Sequence, residues 1–290
     1  MEEFSDAALV LVGHGSTLNA DSSRPTHAQA DALRKRGIFA QVVTAFWKEH
    51  PMLAGALRQV FTPRVFVVPL FISEGYFTEE VIPRELGLLS PGARTVPRAL
   101  DQAGRRIHYC GPVGTHPSMT QVILARADEI LERFPDAGGR IPQSQDVSLF
   151  VAGHGTGLNE NSRRAIEDHV ERIRAMNRFA CVHPLFMEEE PRIGDCPRLA
   201  TTPDRVVVPL FISDGLHSFE DIPVMLGASE AEVRERFRLG QPTWVNPTSL
   251  HGGRIWYTPG IGLDAHLSDV ILERVREAAK QDPAEFSDSL

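Results

Sequence analysis

Residues 62–83 read TPRVFVVPLFISEGYFTEEVIP, and residues 202–223 read TPDRVVVPLFISDGLHSFEDIP, a spacing of 140. Each copy is a short β-branched run that ends at Pro-Leu-Phe and passes through a glycine into an acidic stretch. Working outward, LVLVGHGST (9–17) returns as LFVAGHGTG (149–157), and AFWKEHP (45–51) returns as LFMEEEP (185–191), both at the same spacing. Toward the C-terminus, GTHPSMTQVILARADE (114–129) aligns with GLDAHLSDVILERVRE (262–277), now at a spacing of 148. The Gly/Pro-rich stretch GQPTWVNPTSLHGG (240–253) is the natural place for the eight extra residues. Four anchors in register mark an internal duplication.

Each copy alternates apolar runs with helical patterns. In the first, ALVLV, AQVVTAF, RVFVVPL and RIHYC read as buried strands, separated by segments such as HAQADALRKR and MTQVILARADEILERF. The alternation predicts an α/β fold: two tandem doubly wound parallel-sheet domains of the Rossmann or flavodoxin-like kind. The expected domains are residues 1–140 and 141–290, joined through the turn-rich PDAGGRIPQSQD (135–146), with QDPAEFSDSL (281–290) as a frayed tail.

Composition narrows the function classes. The 290 residues are 42% apolar and 23% charged, as in an ordinary globular chain. Thirty basic against 38 acidic residues give a formal charge of -8, which argues against a nucleic-acid partner. The longest apolar runs are far below a membrane-spanning length. The acidic start MEEFSD is unlike the basic opening of a targeting peptide, so the cytoplasm is the expected location. Cys110, Cys181 and Cys196 are widely spaced, which argues against a disulfide framework or a zinc ribbon. No P-loop is present, so no nucleotide is expected.

The chemistry is expected at the carboxyl ends of the strands, where such sheets bind ligands. His14 and His154 directly follow the first strand of each copy. An isolated Gly-His-Gly is equally well read as a strand-to-helix turn, but the comparison of copies sharpens it. The second copy carries His217 where the first has Phe77, Glu188 where the first has Lys48, and Asp221 where the first has Val81. His154, Glu188 and His217 thus follow three strands of one sheet, a donor set suited to Co²⁺, Ni²⁺, Fe²⁺ or Zn²⁺. His14 beside Lys48 and Phe77 is not such a set. Arg163 and Arg164, with the helix N-termini after the Gly-His-Gly turns, are candidates for binding substrate carboxylates. Trp47, Trp244 and Trp256 read as core or cleft packing.

These residues resemble a known family. The paired VxxGHG openings and VVPLFISDGLHSFEDIP are similar to the class II chelatases of the CbiX type, which act on sirohydrochlorin in cobalamin and siroheme synthesis. The likeness covers almost the whole chain, in a long two-repeat form. It implies a chelatase-like fold and metal-binding histidines at His154 and His217, with Glu188 as the acidic ligand. It also implies insertion of a divalent metal substrate, Co²⁺ first and Fe²⁺ or Ni²⁺ next, into a tetrapyrrole without ATP. The first copy departs from the pattern at Phe77 and Lys48, which points to one working centre. A repeat that supplies an internal pseudo-dimer suits a monomer. Two rival readings stay open: a non-catalytic metal- or tetrapyrrole-binding protein, and a histidine phosphatase. The phosphatase would need an arginine where Gly13 and Gly153 stand.

Overall fold

The computed structural model describes residues 3–17, 19–89, 92–93, 95–155 and 160–282. Among these residues ten strands form two five-stranded sheets. The first contains β1 (Phe4–Gly13), β2 (Phe39–Phe46), β3 (Arg64–Pro69), β4 (Ala99–Gln102) and β5 (Arg105–Tyr109), in the order β2-β1-β3-β5-β4. Val10 of β1 lies opposite Val43 of β2 and Val67 of β3, all parallel, and β5 continues the parallel run beside β3. Only β4 is antiparallel, on the edge against β5. The second sheet repeats this plan. Its strands β6 (Val147–Gly153), β7 (Cys181–Phe186), β8 (Asp204–Pro209), β9 (Thr248–Leu250) and β10 (Gly253–Tyr257) run in the order β7-β6-β8-β10-β9.

The central strands are buried on both faces, which is why their sequences read as continuous apolar runs rather than alternations. All seven residues of β6 are buried. In the first sheet Ala8, Val10 and Val12 join Leu53, Val60, Ile82 and Leu86 in one cluster. Leu9 and Leu11 are equally buried and point to the opposite face by the pleat.

The helices are α1 (Arg24–Arg36), α2 (Ile82–Glu85), α3 (Met119–Arg133), α4 (Glu160–Ala175), α5 (Cys196–Leu199), α6 (Ile222–Met225), α7 (Glu230–Arg238) and α8 (Leu267–Lys280). The first is bounded by Pro25 at its start and Gly37 at its end, with Arg34, Lys35 and Arg36 in its last turn against the negative end of the dipole. The alternation expected from sequence holds for the long helices and fails between β2 and β3. There the first copy has only a 3₁₀ turn at Ala56–Gln59, and the second has the four-residue α5. After β3 and β8 the chain makes a five-residue π-helical turn, Phe77–Val81 and His217–Asp221 respectively. The antiparallel edge strands β4 and β9 were not part of the sequence expectation.

The chain separates into two compact units, Met1–Ser118 with Ala265–Leu290, and Met119–Asp264. These are not the repeats 1–140 and 141–290. The final helix of each repeat completes the sheet of the other, so α3 packs on β8 and β10 while α8 packs on β3 and β5. In the first unit Ser268 Oγ lies 2.6 Å from Gln29 Oε1, and Arg274 donates to the Pro112 carbonyl (3.0 Å) and to Thr115 Oγ1 (2.7 Å). Asp282, fully buried at the end of this segment, accepts from Arg106 Nε at 2.6 Å. It is the anchored part of the tail expected to fray, and residues 283–290 lie outside the described residues. In the second unit Trp256 Nε1 donates to the Phe134 carbonyl (2.8 Å), and Thr120 Oγ1 meets His169 Nδ1 (2.9 Å). Among the described residues no helix is long and apolar enough to cross a membrane.

Candidate metal centre

In each sheet the chain runs first to one side of the opening strand and then to the other, placing β1 between β2 and β3 and β6 between β7 and β8. The reversal opens a crevice at the carboxyl ends of these strands, the usual ligand site of a doubly wound sheet. His154 leaves β6 into that crevice. Glu188 leaves β7, and His217 begins the π-turn after β8.

The Gly-His-Gly turn has a steric explanation. A Cβ on Gly153 would sit 2.8 Å from the Ile166 side chain of α4, so a side chain there would push the helix off the sheet. Gly155 has φ +67°, a left-handed conformation, and its Cβ would also press on Phe186 at 3.0 Å. Gly155→Ala is therefore expected to cost about 1–2 kcal/mol. The check is a lowered midpoint in denaturant melts of the full chain. Between the glycines, His154 Nδ1 lies 2.8 Å from the Gly155 carbonyl oxygen. An oxygen of that kind only accepts, so Nδ1 carries the proton and Nε2 keeps its lone pair. Met187 N and Glu188 N both donate to the His154 carbonyl, at 3.0 and 3.1 Å, which ties the β7 loop to the turn.

His217 is prepared in the same sense by a different partner. Its Nδ1 lies 2.6 Å from Asp221 Oδ2, one turn further along. The carboxylate fixes the ring and again leaves Nε2 as the free donor. Behind the turn, the buried Tyr257 hydroxyl donates to the Ser218 carbonyl at 2.9 Å and steadies the backbone that carries His217. The two imidazoles meet edge to face with centroids 5.2 Å apart. Glu188 Oε1 stands 3.8 Å from His154 Nε2. Both histidines and Glu188 are partly exposed, so a solvated ion can reach them. Among the described residues no three His, Cys, Asp or Glu side chains form a ready-made cage. The centre is a facing pair of tethered imidazoles with a carboxylate at its edge.

The arginines are placed less openly than their sequence position suggests. Arg163 donates to Glu167 (2.8 Å), Glu189 (3.1 Å) and the Glu190 carbonyl (2.9 Å), and lies over the Phe186 ring. Its guanidinium braces the acidic loop that presents Glu188. Arg164 is exposed on α4. Residues 156–159, which join the Gly-His-Gly turn to that helix, lie outside the described residues. Two of the three thiols are poor metal donors: burial pushes those of Cys110 and Cys196 up to about 12, far from the thiolate that binds metals.

Asp221, which stands where the first copy has Val81, joins the candidate centre through its bond to His217. The signal was the His217–Asp221 spacing of four, which puts both on one face of a helical turn.

The first unit keeps the turn, with Phe77 where the second unit has His217. His14 Nδ1 bonds the Gly15 carbonyl at 2.8 Å, as in the second copy. Trp47 and Phe77 rings pack against His14 at centroid distances of 5.4 and 5.1 Å. Trp47 is thus a rim residue as well as a neighbour of the core cluster.

Two tethered imidazoles at the crevice of an α/β unit make a candidate site for a divalent metal. The CbiX family model matches residues 8–130 and again 148–278, and the chain belongs to the CbiX family. A relative from Halobacterium salinarum, "Probable sirohydrochlorin cobaltochelatase", is 45% identical over 281 residues, covering 93% of this chain and 91% of its own length. The crystal structure of DR2241 from Deinococcus radiodurans superposes with a TM-score of 0.74 at 31% identity, over 96% of this chain and 56% of that longer one. SirB from Bacillus subtilis with Fe³⁺ superposes with a TM-score of 0.65 at 16% identity, over 97% and 98% of the two chains. At that identity the likeness concerns the fold alone.

Proposed function

We propose that this metal chelatase inserts a divalent metal, Co²⁺ first and Fe²⁺ or Ni²⁺ next, into a sirohydrochlorin-type tetrapyrrole without ATP. The observation that carries the reading is the pair of Nε2 lone pairs at the β6 and β8 ends, each held by an Nδ1 tether. The 45% identity to the Halobacterium relative supports the choice of macrocycle and of cobalt.

Insertion exchanges M²⁺ for two pyrrole protons. His154 and His217 take the place of water on the incoming ion and present it to the macrocycle. Glu188 offsets charge beside His154 and accepts one of the two pyrrole protons, and the other passes to bulk water at this exposed rim. An open donor set suits this work, because the ion is a substrate that must leave the protein, whereas a closed four-ligand site would retain it. Arg164, exposed on α4, is the remaining candidate for a substrate carboxylate.

The test is an absorption spectrum of the purified protein with sirohydrochlorin and each of Co²⁺, Fe²⁺ and Ni²⁺. Faster conversion of the metal-free bands with protein than without it is the expected result. No acceleration by any metal would reject the reading and favour the binding-only alternative. Asp221→Ala is expected to lower the insertion rate about 10–100-fold, as loss of a partner that orients a metal-ligating histidine does. The melting temperature should barely move, because Asp221 is partly exposed. Steady-state rates and a thermal melt on the same sample separate the two effects.

A further inference from the structure

The second unit holds a cavity of about 330 Å³ that the metal chemistry above does not use. It lies on the side of β8 away from β6, between the end of α3, the end of β10 and the loop 242–246. Every residue lining it belongs to Met119–Asp264. The loop is part of the stretch 240–253, where the second copy carries its eight extra residues. The first unit has a cavity at the matching place, beside Tyr109 where the second has Tyr257. Its walls carry Arg98, Arg106 and Arg274 with Glu74 and Glu277. The second lining is apolar where the first is charged, and the longer loop supplies much of it.

Trp244, Phe134, Phe219 and Tyr257 form the body of the cavity. Trp244 is 7% exposed, and its Nε1 donates to the Ile255 carbonyl at 3.4 Å. Asn246 clamps the loop, donating to the Tyr257 carbonyl at 2.9 Å and accepting from the Tyr257 N–H at 2.7 Å. The cavity is thus formed before anything enters it.

Two polar groups on its walls are left over. Ser218 is 3% exposed, and its buried Oγ has no hydrogen-bond partner among the described residues. In the first copy the matching Thr78 hydroxyl bonds the Gly75 N–H at 2.9 Å and the Gly75 carbonyl at 3.2 Å. A buried hydroxyl without a partner is costly, and a ligand atom can supply the partner. Arg133, at the end of α3, is exposed, lies over the Phe134 ring at 5.3 Å and forms no ion pair among the described residues. The opposing charge on the wall, Asp214, accepts from the Gly260 N–H at 2.7 Å. An apolar body with a cation at its rim and a hydroxyl in its wall suits a flat acid with a second polar atom.

We propose that this cavity binds a small hydroxyaryl carboxylate, with its ring against Trp244 and Phe219, its carboxylate on Arg133 and its hydroxyl on Ser218. Ser218 directly follows His217, so the occupant braces the turn that carries one metal donor and tightens metal binding there. That coupling rests on the metal reading above, whereas binding of the acid does not.

The test uses the full chain without tetrapyrrole, titrated by NMR with para-hydroxyphenylacetate as the probe. A dissociation constant of about 1 mM suits a ligand of about ten heavy atoms. Tyramine, with an ammonium in place of the carboxylate, should bind about tenfold more weakly, and Arg133→Glu should cost the acid about as much. Arg133 is exposed, so its variant keeps the fold. Phenylacetate lacks the hydroxyl and should bind about fivefold more weakly to the wild type, a difference that disappears in Ser218→Ala. Saturating acid should raise Co²⁺ affinity about fivefold in the wild type and not in Arg133→Glu. Tyramine binding as well as the acid, or an acid affinity untouched by Arg133→Glu, overturns the site. So does a wild type that takes up no acid at ten times the expected dissociation constant. An acid that binds without moving Co²⁺ affinity overturns the coupling, and a wild type that binds the acid but no Co²⁺ overturns the metal reading instead.

Discussion

His154→Ala and His217→Ala are each expected to slow metal insertion by about 100-fold or more, while His14→Ala leaves most of the rate. The scale follows from metal sites in which removing even an outer partner of a ligand costs about 10–100-fold, so removing the ligand costs no less. The asymmetry follows from geometry. His154 faces a second imidazole at 5.2 Å and a carboxylate at 3.8 Å, whereas His14 faces Trp47 and Phe77. All three variants should melt alike, because each histidine is partly exposed. Equal losses at His14 and His154 in an insertion assay would show that the first copy still handles metal and would refute this assignment.

The second large effect concerns the exchange of terminal helices. Deleting residues 265–290 removes α8, whose Leu267, Val270, Ile271, Leu272 and Val275 are buried. At about 1.5–3 kcal/mol for each such side chain, the loss is about 7–15 kcal/mol. That is comparable to the whole stability of a typical domain, about 5–15 kcal/mol. The first unit should therefore fail to fold in the truncated chain, while a fragment of residues 119–264 keeps a cooperative transition. Thermal melts followed by circular dichroism on the two fragments decide it. A fragment ending at residue 140, the boundary of the sequence repeat, should do no better, because it carries α3 without β8 and β10.

Much of this was legible in the residues, and the reasons differ by feature. The duplication and the strand ends could be read because buried parallel strands leave continuous apolar runs, and Gly-His-Gly punctuates two of them. The difference between the two rims was visible because Phe77 and Lys48 stand where the second copy has His217 and Glu188. The helix exchange was not visible. The apolar stripe of MTQVILARADEILERF says that one face is buried, but nothing in its periodicity says against which of two similar sheets. The edge strands β4 and β9 are short and half-polar, below the threshold of any strand pattern. Arg163 looked available for substrate because its sequence neighbourhood conceals Glu189, which lies 26 residues away and is brought to 3.1 Å by the β7 loop.

The unit boundaries also bear on how the protein is made. Chains generally fold from the N-terminus as they leave the ribosome, one domain at a time. Here one unit combines Met1–Ser118 with Ala265–Leu290, whereas Met119–Asp264 is continuous. The continuous unit therefore has all its parts in hand while the first sheet still awaits α8. The core of the first unit closes only through contacts between segments far apart in sequence, a kind of pairing that is slow to form.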